Sequence, residues 1–240
     1  MSSAPAHSDE LELSPTAHAT PIVIVVDDDI SVRESLELLI DNQGWKSKTF
    51  ASAQEFFDSP RAAVPSCLLL DISLPDLNGL ELQKRVADRR ASMPIIFVTG
   101  YGDIPTTVQA MKAGAVEFLT KPFNDEVLLT AVRQALERSR LALIKQAEMQ
   151  RLRERYASLT LREREVMTLV VTGLLNKEVG SELGISEITV KAHRGQVMHK
   201  MRANSIADLV RIAGTLHSRG GIAHSGAAAH EAGAQRDQQH

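Results

Sequence analysis

Residues 68–79 read LLLDISLPDLNG, and the reading of this stretch decides the fold. The run Cys67–Leu70 is continuously apolar rather than alternating, which suits a strand buried on both faces. Directly after it stands an acid, Asp71. Outward from here the same arrangement recurs. Strands are predicted over Ile22–Val26, Lys46–Thr49, Ile95–Val98 and Val116–Leu119, with amphipathic helices at about 30–42, 52–58, 78–90 and 104–113. A fifth helix begins near Asn124, whose side chain can cap its free N–H groups. Five βα repeats predict a doubly wound, five-stranded parallel sheet in the α/β class, with the first, third and fourth strands central. In such sheets ligands bind outside the carboxyl ends of the strands.

The residues at those ends carry the chemistry. Asp27, Asp28 and Asp29 follow the first strand, Asp71 the third, Thr99 ends the fourth in FVTG, and Lys121 precedes Pro122 in FLTKPF after the fifth. Carboxylates gathered at one rim repel, and a cation relieves that repulsion. Oxygen-only ligands point to Mg²⁺, or Mn²⁺ in its place. A carboxylate nucleophile, a divalent ion, a hydroxyl and an ammonium together make a site for phosphoryl transfer, with Asp71 as acceptor. Any one of these acids could simply cap the following helix, as Asp29 could, but capping does not explain acid, hydroxyl and base after four different strands.

Residues 124–158 contain neither Pro nor Gly and keep a roughly helical period through Leu128, Val132, Ala135 and Leu136. They read as one long helix joining two domains. Its second half, with sparse Leu141, Ile144, Met149 and Leu152, suits an exposed connector or one strand of a dimeric coiled coil. From Thr160 to about His217 only helices are signalled, broken at Gly173, Gly184 and Asn204, which fits an all-α unit of four helices. The predicted division is a core at 21–123, the linker helix at 124–158 and the helical domain at 159–218. The tails 1–20 and 219–240, rich in Ala, Gly, Ser, His and Gln, read as disordered.

Composition agrees with a water-soluble, two-domain protein: 240 residues, 43% hydrophobic and 24% charged. The net charge of −3 conceals 10 Lys/Arg against 14 Asp/Glu over 21–122 and 9 against 6 over 159–219. That asymmetry suits a cation site in the first half and a polyanion partner for the second. No apolar run is long enough to span a membrane, and the N-terminus lacks a basic start and an apolar core, so a cytoplasmic protein is expected. The lone Cys67 is expected to pack as a small buried hydrophobe.

With VVDDD, LLLDISLPDLNG, VTGYGD and FLTKPF in this order, residues 21–138 resemble the flavodoxin-like receiver domain of two-component response regulators. The resemblance implies that Asp27 and Asp28 are metal carboxylates, Asp71 the metal-bound phosphoacceptor, Ser73 a metal ligand through its backbone carbonyl, and Lys121 the phosphate partner, with a cis Lys121–Pro122 bond. It places Thr99 and Phe118 at the paired switch positions. Phe118 has no hydroxyl to bond with, so ring packing would carry its part. The segment 159–201, LTLREREVMTLVVTGLLNKEVGSELGISEITVKAHRGQVMHKM, is similar to the LuxR-type helix-turn-helix of FixJ/NarL-type regulators.

In the helix after Ser186, Val190, Val197 and Met201 share one face, with Arg194 beside it, and should face the core. Ile188, Lys191, Ala192, Gly195, His199 and Arg202 lie on the opposite face, which can enter a major groove. Asn176 and Lys177 open the preceding helix, where a phosphate is favoured, and Thr189, Arg194, Lys200 and Arg202 are further candidates for phosphate contacts. The last helix, about 205–216 with Ile206, Leu209, Val210 and Ile212, carries apolar surface beyond what so small a unit readily buries, which suits a dimer contact. The implied partners are a sensor histidine kinase, promoter DNA, RNA polymerase and a second copy of the chain.

Three other readings account for less. A haloacid-dehalogenase-like phosphatase would use Asp27 as nucleophile but leaves Asp71 and the helix-turn-helix without a task. A ligand-sensing LuxR-type regulator needs an aromatic-lined pocket, for which 4% aromatic residues and the single Trp45 offer little material. A receiver that does not bind DNA leaves 159–201 unexplained.

Overall fold

The computed structural model describes residues 19–60, 63–89, 92–100 and 102–217. Apart from residues 19 and 20, the tails predicted to be disordered lie outside these residues. Five strands form one parallel sheet in the order β2-β1-β3-β4-β5: β1 Ile22–Val26, β2 Lys46–Phe50, β3 Ser66–Leu70, β4 Ile95–Thr99 and β5 Glu117–Thr120. The three predicted central strands are the central ones, and each is buried along its whole length. Helices α1 Ile30–Asp41, α2 Ala53–Asp58, α3 Gly79–Arg89 and α4 Ile104–Lys112 alternate with them, and α5 Asp125–Ala157 follows.

Because successive strand residues point to opposite faces, the apolar runs feed two cores. Ile24, Val26, Leu68, Leu70 and Phe97 pack with Phe56 of α2, Leu82 of α3 and Ala110 of α4. Val25, Cys67, Leu69, Ile96 and Val98 pack with Leu36 and Ile40 of α1 and Leu128, Val132 and Ala135 of α5. Cys67 is fully buried there, and burial pushes its thiol far above the ordinary range, as expected of an inert packing residue. Asn124 caps α5 as predicted, accepting from the N–H groups of Glu126 and Val127. Ser139, buried in the same helix, accepts from Ser66 N–H and donates to Ser92 carbonyl, stitching α5 to the starts of β3 and β4.

The chain divides into two compact units, one reaching Ala147 and the other starting at Glu148, so the division falls inside α5. The second unit contains α6 Leu161–Val171, α7 Asn176–Leu183, α8 Glu187–Met201 and α9 Ile206–His217. Its core is built from Val166, Val170, Val179, Val190, Val197, Met201 and Leu209, with Met149, Leu152 and Tyr156 of the α5 end packed against it. Three of the last helix's expected apolar excess find a place inward: Leu209 and Ile212 are buried and Ile206 is half-buried, leaving Val210 exposed.

Candidate functional site

Strand polarity delivers the receiver residues to one rim. Val26 and Leu70 are register partners at the ends of β1 and β3, so the next residues, Asp27 and Asp71, emerge side by side. Asp71 N–H donates to Val26 carbonyl at 2.9 Å. One carboxylate oxygen from each of Asp27, Asp28 and Asp71 lies within 4.8 Å of the others. Thr99, completely buried at the end of β4, accepts through its carbonyl from Lys121 N–H at 2.8 Å. Lys121 Nζ then reaches Asp27 Oδ2 at 2.6 Å and stands 3.9 Å from Asp71 Oδ2.

The electrostatics of this rim are short of positive charge. Burial pushes Asp27 above the usual carboxylate range, outweighing the hydrogen bonds from Lys121 and Asp29 N–H. Three carboxylates gather here while Lys121 pairs with only two of them, Asp27 and Asp71, and the donors are all oxygen, a set that fits a hard divalent cation such as Mg²⁺. Asp71 Oδ1 is held by Ile72 N–H at 2.8 Å, which orients the carboxylate. Asp29 resolves as a cap: its side chain accepts from Ser31 N–H at the start of α1. Ser73 is exposed in the loop after Asp71, and Lys121–Pro122 is cis. Phe118 lies against the core with its ring 5.9 Å from that of Phe97.

Two supports of the rim were missed in the sequence. Arg33 Nη1 donates to the carbonyls of Asp27 at 2.7 Å and Asp28 at 2.9 Å, fixing the turn that presents both acids. Its signal was a cation near the start of α1, where the helix dipole disfavours one. Gly79 starts α3 directly against the loop after β3: a Cβ there would lie 2.6 Å from Asp71 carbonyl oxygen and 2.8 Å from Ile72 Cα. The glycine of LLLDISLPDLNG is therefore a close-approach residue.

In the second unit Val190, Val197 and Met201 are buried as predicted, while Ile188, Lys191, Ala192, Gly195 and His199 are exposed on α8. Gly180 lets α7 and α8 meet, since a Cβ would lie 2.7 Å from Ile185 carbonyl oxygen in the turn between them. Lys177 and Thr189 are exposed, the latter sharing a hydrogen bond with Ser186. The remaining candidates have partners or backbone roles within the fold. Arg194 and Asn176 are bonded to each other, Nη1 to Oδ1 at 2.9 Å, because the start of α7 packs over the middle of α8. Lys200 is held by Glu163 at 2.7 Å. Arg202 is the left-handed C-cap of α8, φ 52°, so helical periodicity does not set the direction of its side chain, and Asn204 lies in the break before α9 as predicted.

A doubly wound domain with an acid, hydroxyl and lysine rim, followed by a helix-turn-helix unit, defines a phosphorylation-controlled DNA-binding regulator. Residues 23–133 match the family described as "Response regulator receiver domain", and 157–213 match "Bacterial regulatory proteins, luxR family". The chain is 51% identical over 200 residues to Nodulation protein W of Bradyrhizobium diazoefficiens, covering 83% of this chain and 88% of that protein. It is 41% identical over 191 residues to transcriptional regulatory protein FixJ of the same organism, covering 80% and 93%. The solved structure of response regulator StyR superposes with a TM-score of 0.74 at 43% identity, covering 82% of this chain and all of that one. The chain belongs to the two-component response regulators with a LuxR-type DNA-binding domain, a family of regulators and not of enzymes.

Proposed function

We propose that Asp71 is the phosphoacceptor and that its modification by a sensor histidine kinase switches the chain to promoter binding as a homodimer. In the transfer, the donor's P–N bond breaks as a P–O bond forms to the Asp71 carboxylate, and the donor imidazole leaves. The observation that carries this reading is the Asp71 carboxylate, oriented by Ile72 N–H, 3.9 Å from Lys121 and grouped with two further acids. Asp27, Asp28, Asp71 and the Ser73 carbonyl would hold Mg²⁺ or Mn²⁺, which when bound neutralises charge on the phosphoryl oxygens. Lys121 would exchange part of its bond with Asp27 for one to the phosphoryl group.

Thr99 would hydrogen-bond that group from the end of β4, and the Phe118 ring, already against Phe97, would pack inward behind it. Ile104, Val108 and Met111, exposed along α4, supply apolar surface for pairing of two receivers. Lys177, Thr189, Lys191, Ala192, Gly195 and His199 supply a DNA surface, with Arg202 at its end and the Asn176–Arg194 pair supporting it. The organisation is a receiver core at 21–123, a linker helix and an output domain at 159–218, acting in the cytoplasm, with activation through RNA polymerase as the output.

The test treats wild type and Asp71→Asn with a small-molecule phosphodonor and Mg²⁺, following intact mass and DNA binding together. Wild type should gain one phosphoryl mass and bind DNA more tightly; the variant should do neither. An unchanged wild-type mass, or a modification mapped elsewhere, would overturn the reading.

A further inference from the structure

The C-terminal end of α8 carries more positive charge than the helix-turn-helix accounts for. Arg155, His199, Lys200, Arg202 and Asn204 line a groove of about 650 Å³, all within the second unit. Lys200 is committed to Glu163. Arg155, Arg202 and Arg151, one turn back on α5, form no ion pair among the described residues. Partial burial, and then the charges of Arg202 and Arg151, pull the Arg155 guanidinium below its ordinary value.

Helix dipoles explain part of this cluster. The negative C-terminal ends of α5 and α8 each favour a cation in the last turn, which suits Arg155 and His199. Arg151 stands before the last turn of α5 and gains nothing from it. Arg202 holds a left-handed backbone, φ 52°, where glycine or asparagine is the ordinary choice, so nothing in the backbone geometry favours an arginine there. Like charges gathered without a counter-ion repel one another, and a polyanion relieves that repulsion. His199 also belongs to the exposed face of α8 that holds Lys191, Ala192 and Gly195, so the groove continues that face toward α5. Both α5 arginines lie outside 157–213, the stretch matched to the luxR family.

We propose that Arg151 and Arg155 bind a DNA phosphodiester beside the base pairs met by α8, which makes the end of the linker helix part of the DNA interface. The inference rests on the reading of α8 as the DNA-facing helix. A backbone contact of this kind strengthens binding to every sequence alike and carries no base information.

The test is the salt dependence of duplex binding by the phosphodonor-treated full-length chain, measured by fluorescence anisotropy. Wild type, R151A/R155A, R151K/R155K and K191A are compared on a selected duplex and a scrambled one. Each phosphate contact contributes about 0.9 to the slope of log K against log salt, so the double alanine variant should flatten it by about one. It should weaken both duplexes by the same factor at an unchanged unfolding temperature, and the lysine variant should keep the wild-type slope. A wild-type slope in R151A/R155A, with K191A weakened, overturns the proposal and leaves the α8 reading standing. No wild-type binding, or no effect of K191A, strikes at the α8 reading itself. A flattened slope that lysines fail to restore points to packing rather than charge and also overturns it. So does stabilisation of wild type, but not R151A/R155A, by inorganic phosphate alone with DNA slopes unchanged, which would mark a site for a free anion.

Discussion

The receiver and the helical unit each bury a carboxylate against a lysine, and the two pairs are nearly the same in geometry. Lys121 meets Asp27 at 2.6 Å and Lys200 meets Glu163 at 2.7 Å; the acids are 2% and 6% exposed and the lysines 22% and 28%. Their electrostatics differ in sign. Hydrogen bonds from Lys200 to both oxygens hold Glu163 below the usual carboxylate range in spite of burial. At Asp27 burial wins, because Lys121 makes one bond there and the Asp71 charge lies nearby. The pair in the helical unit is closed upon itself, whereas the pair at the acidic rim, with Asp28 and Asp71 grouped beside it, is left wanting a cation.

If that contrast is right, the largest effect comes from opening the closed pair. Glu163 also completes a reciprocal cap at the start of α6, accepting from Thr160 N–H while Thr160 Oγ1 accepts from Glu163 N–H. Glu163→Ala removes both interactions, but the partly exposed Lys200 can return to water. The expected loss is about 2 kcal/mol in denaturant unfolding of the helical unit, with the receiver unaffected. Glu163→Gln keeps the cap and loses the charge, and should cost about 1 kcal/mol. Since folding depresses the Glu163 pKa, its contribution is complete above the ordinary value of 4.5 and is lost as pH falls through the folded value. The gap between wild type and Glu163→Gln should therefore close in acid; a gap that persists would locate the effect in packing.

The open site is expected to answer to metal instead. Adding Mg²⁺ should raise the unfolding temperature of wild type, and Asp28→Asn should shift the midpoint of that titration to higher Mg²⁺. Without metal the same variant removes one of three crowded carboxylates and should unfold with a free energy about 1 kcal/mol higher than wild type. A metal-free variant less stable than wild type would show that the rim is not short of positive charge.

The same contrast decides what could be read in advance. Asp27, Asp71, Thr99 and Lys121 were legible because a parallel sheet sets where each strand ends, and a residue just past that end has few places to go. The apolar stripe of α8 was legible for the equivalent reason in a helix. Arg33, Gly79 and the Arg194–Asn176 pair were not, since each depends on how separate elements meet, and no period within one element encodes that. The left-handed turn with which Arg202 ends α8 was not legible either, since no glycine or asparagine stands there to announce it. Nothing local to Thr160 or Glu163 announced that Lys200, 37 residues on, would close upon their cap.

The smallest test compares two helix starts within the helical unit. α6 opens with the reciprocal Thr160 and Glu163 cap; α7 opens with half of one, Glu178 accepting from Leu175 N–H at 2.7 Å, while leucine offers no oxygen in return. Leu175 is 69% exposed, so its side chain buries little that a smaller residue would forfeit. Leu175→Ser should supply the missing acceptor for Glu178 N–H and raise the unfolding free energy of this unit by about 0.5 kcal/mol. An unchanged or lower value would mean that water already satisfies that N–H as well as a serine could, or that the leucine holds α7 by contact. In either case the half-cap would not be a deficit, and the comparison with α6 would lose its force.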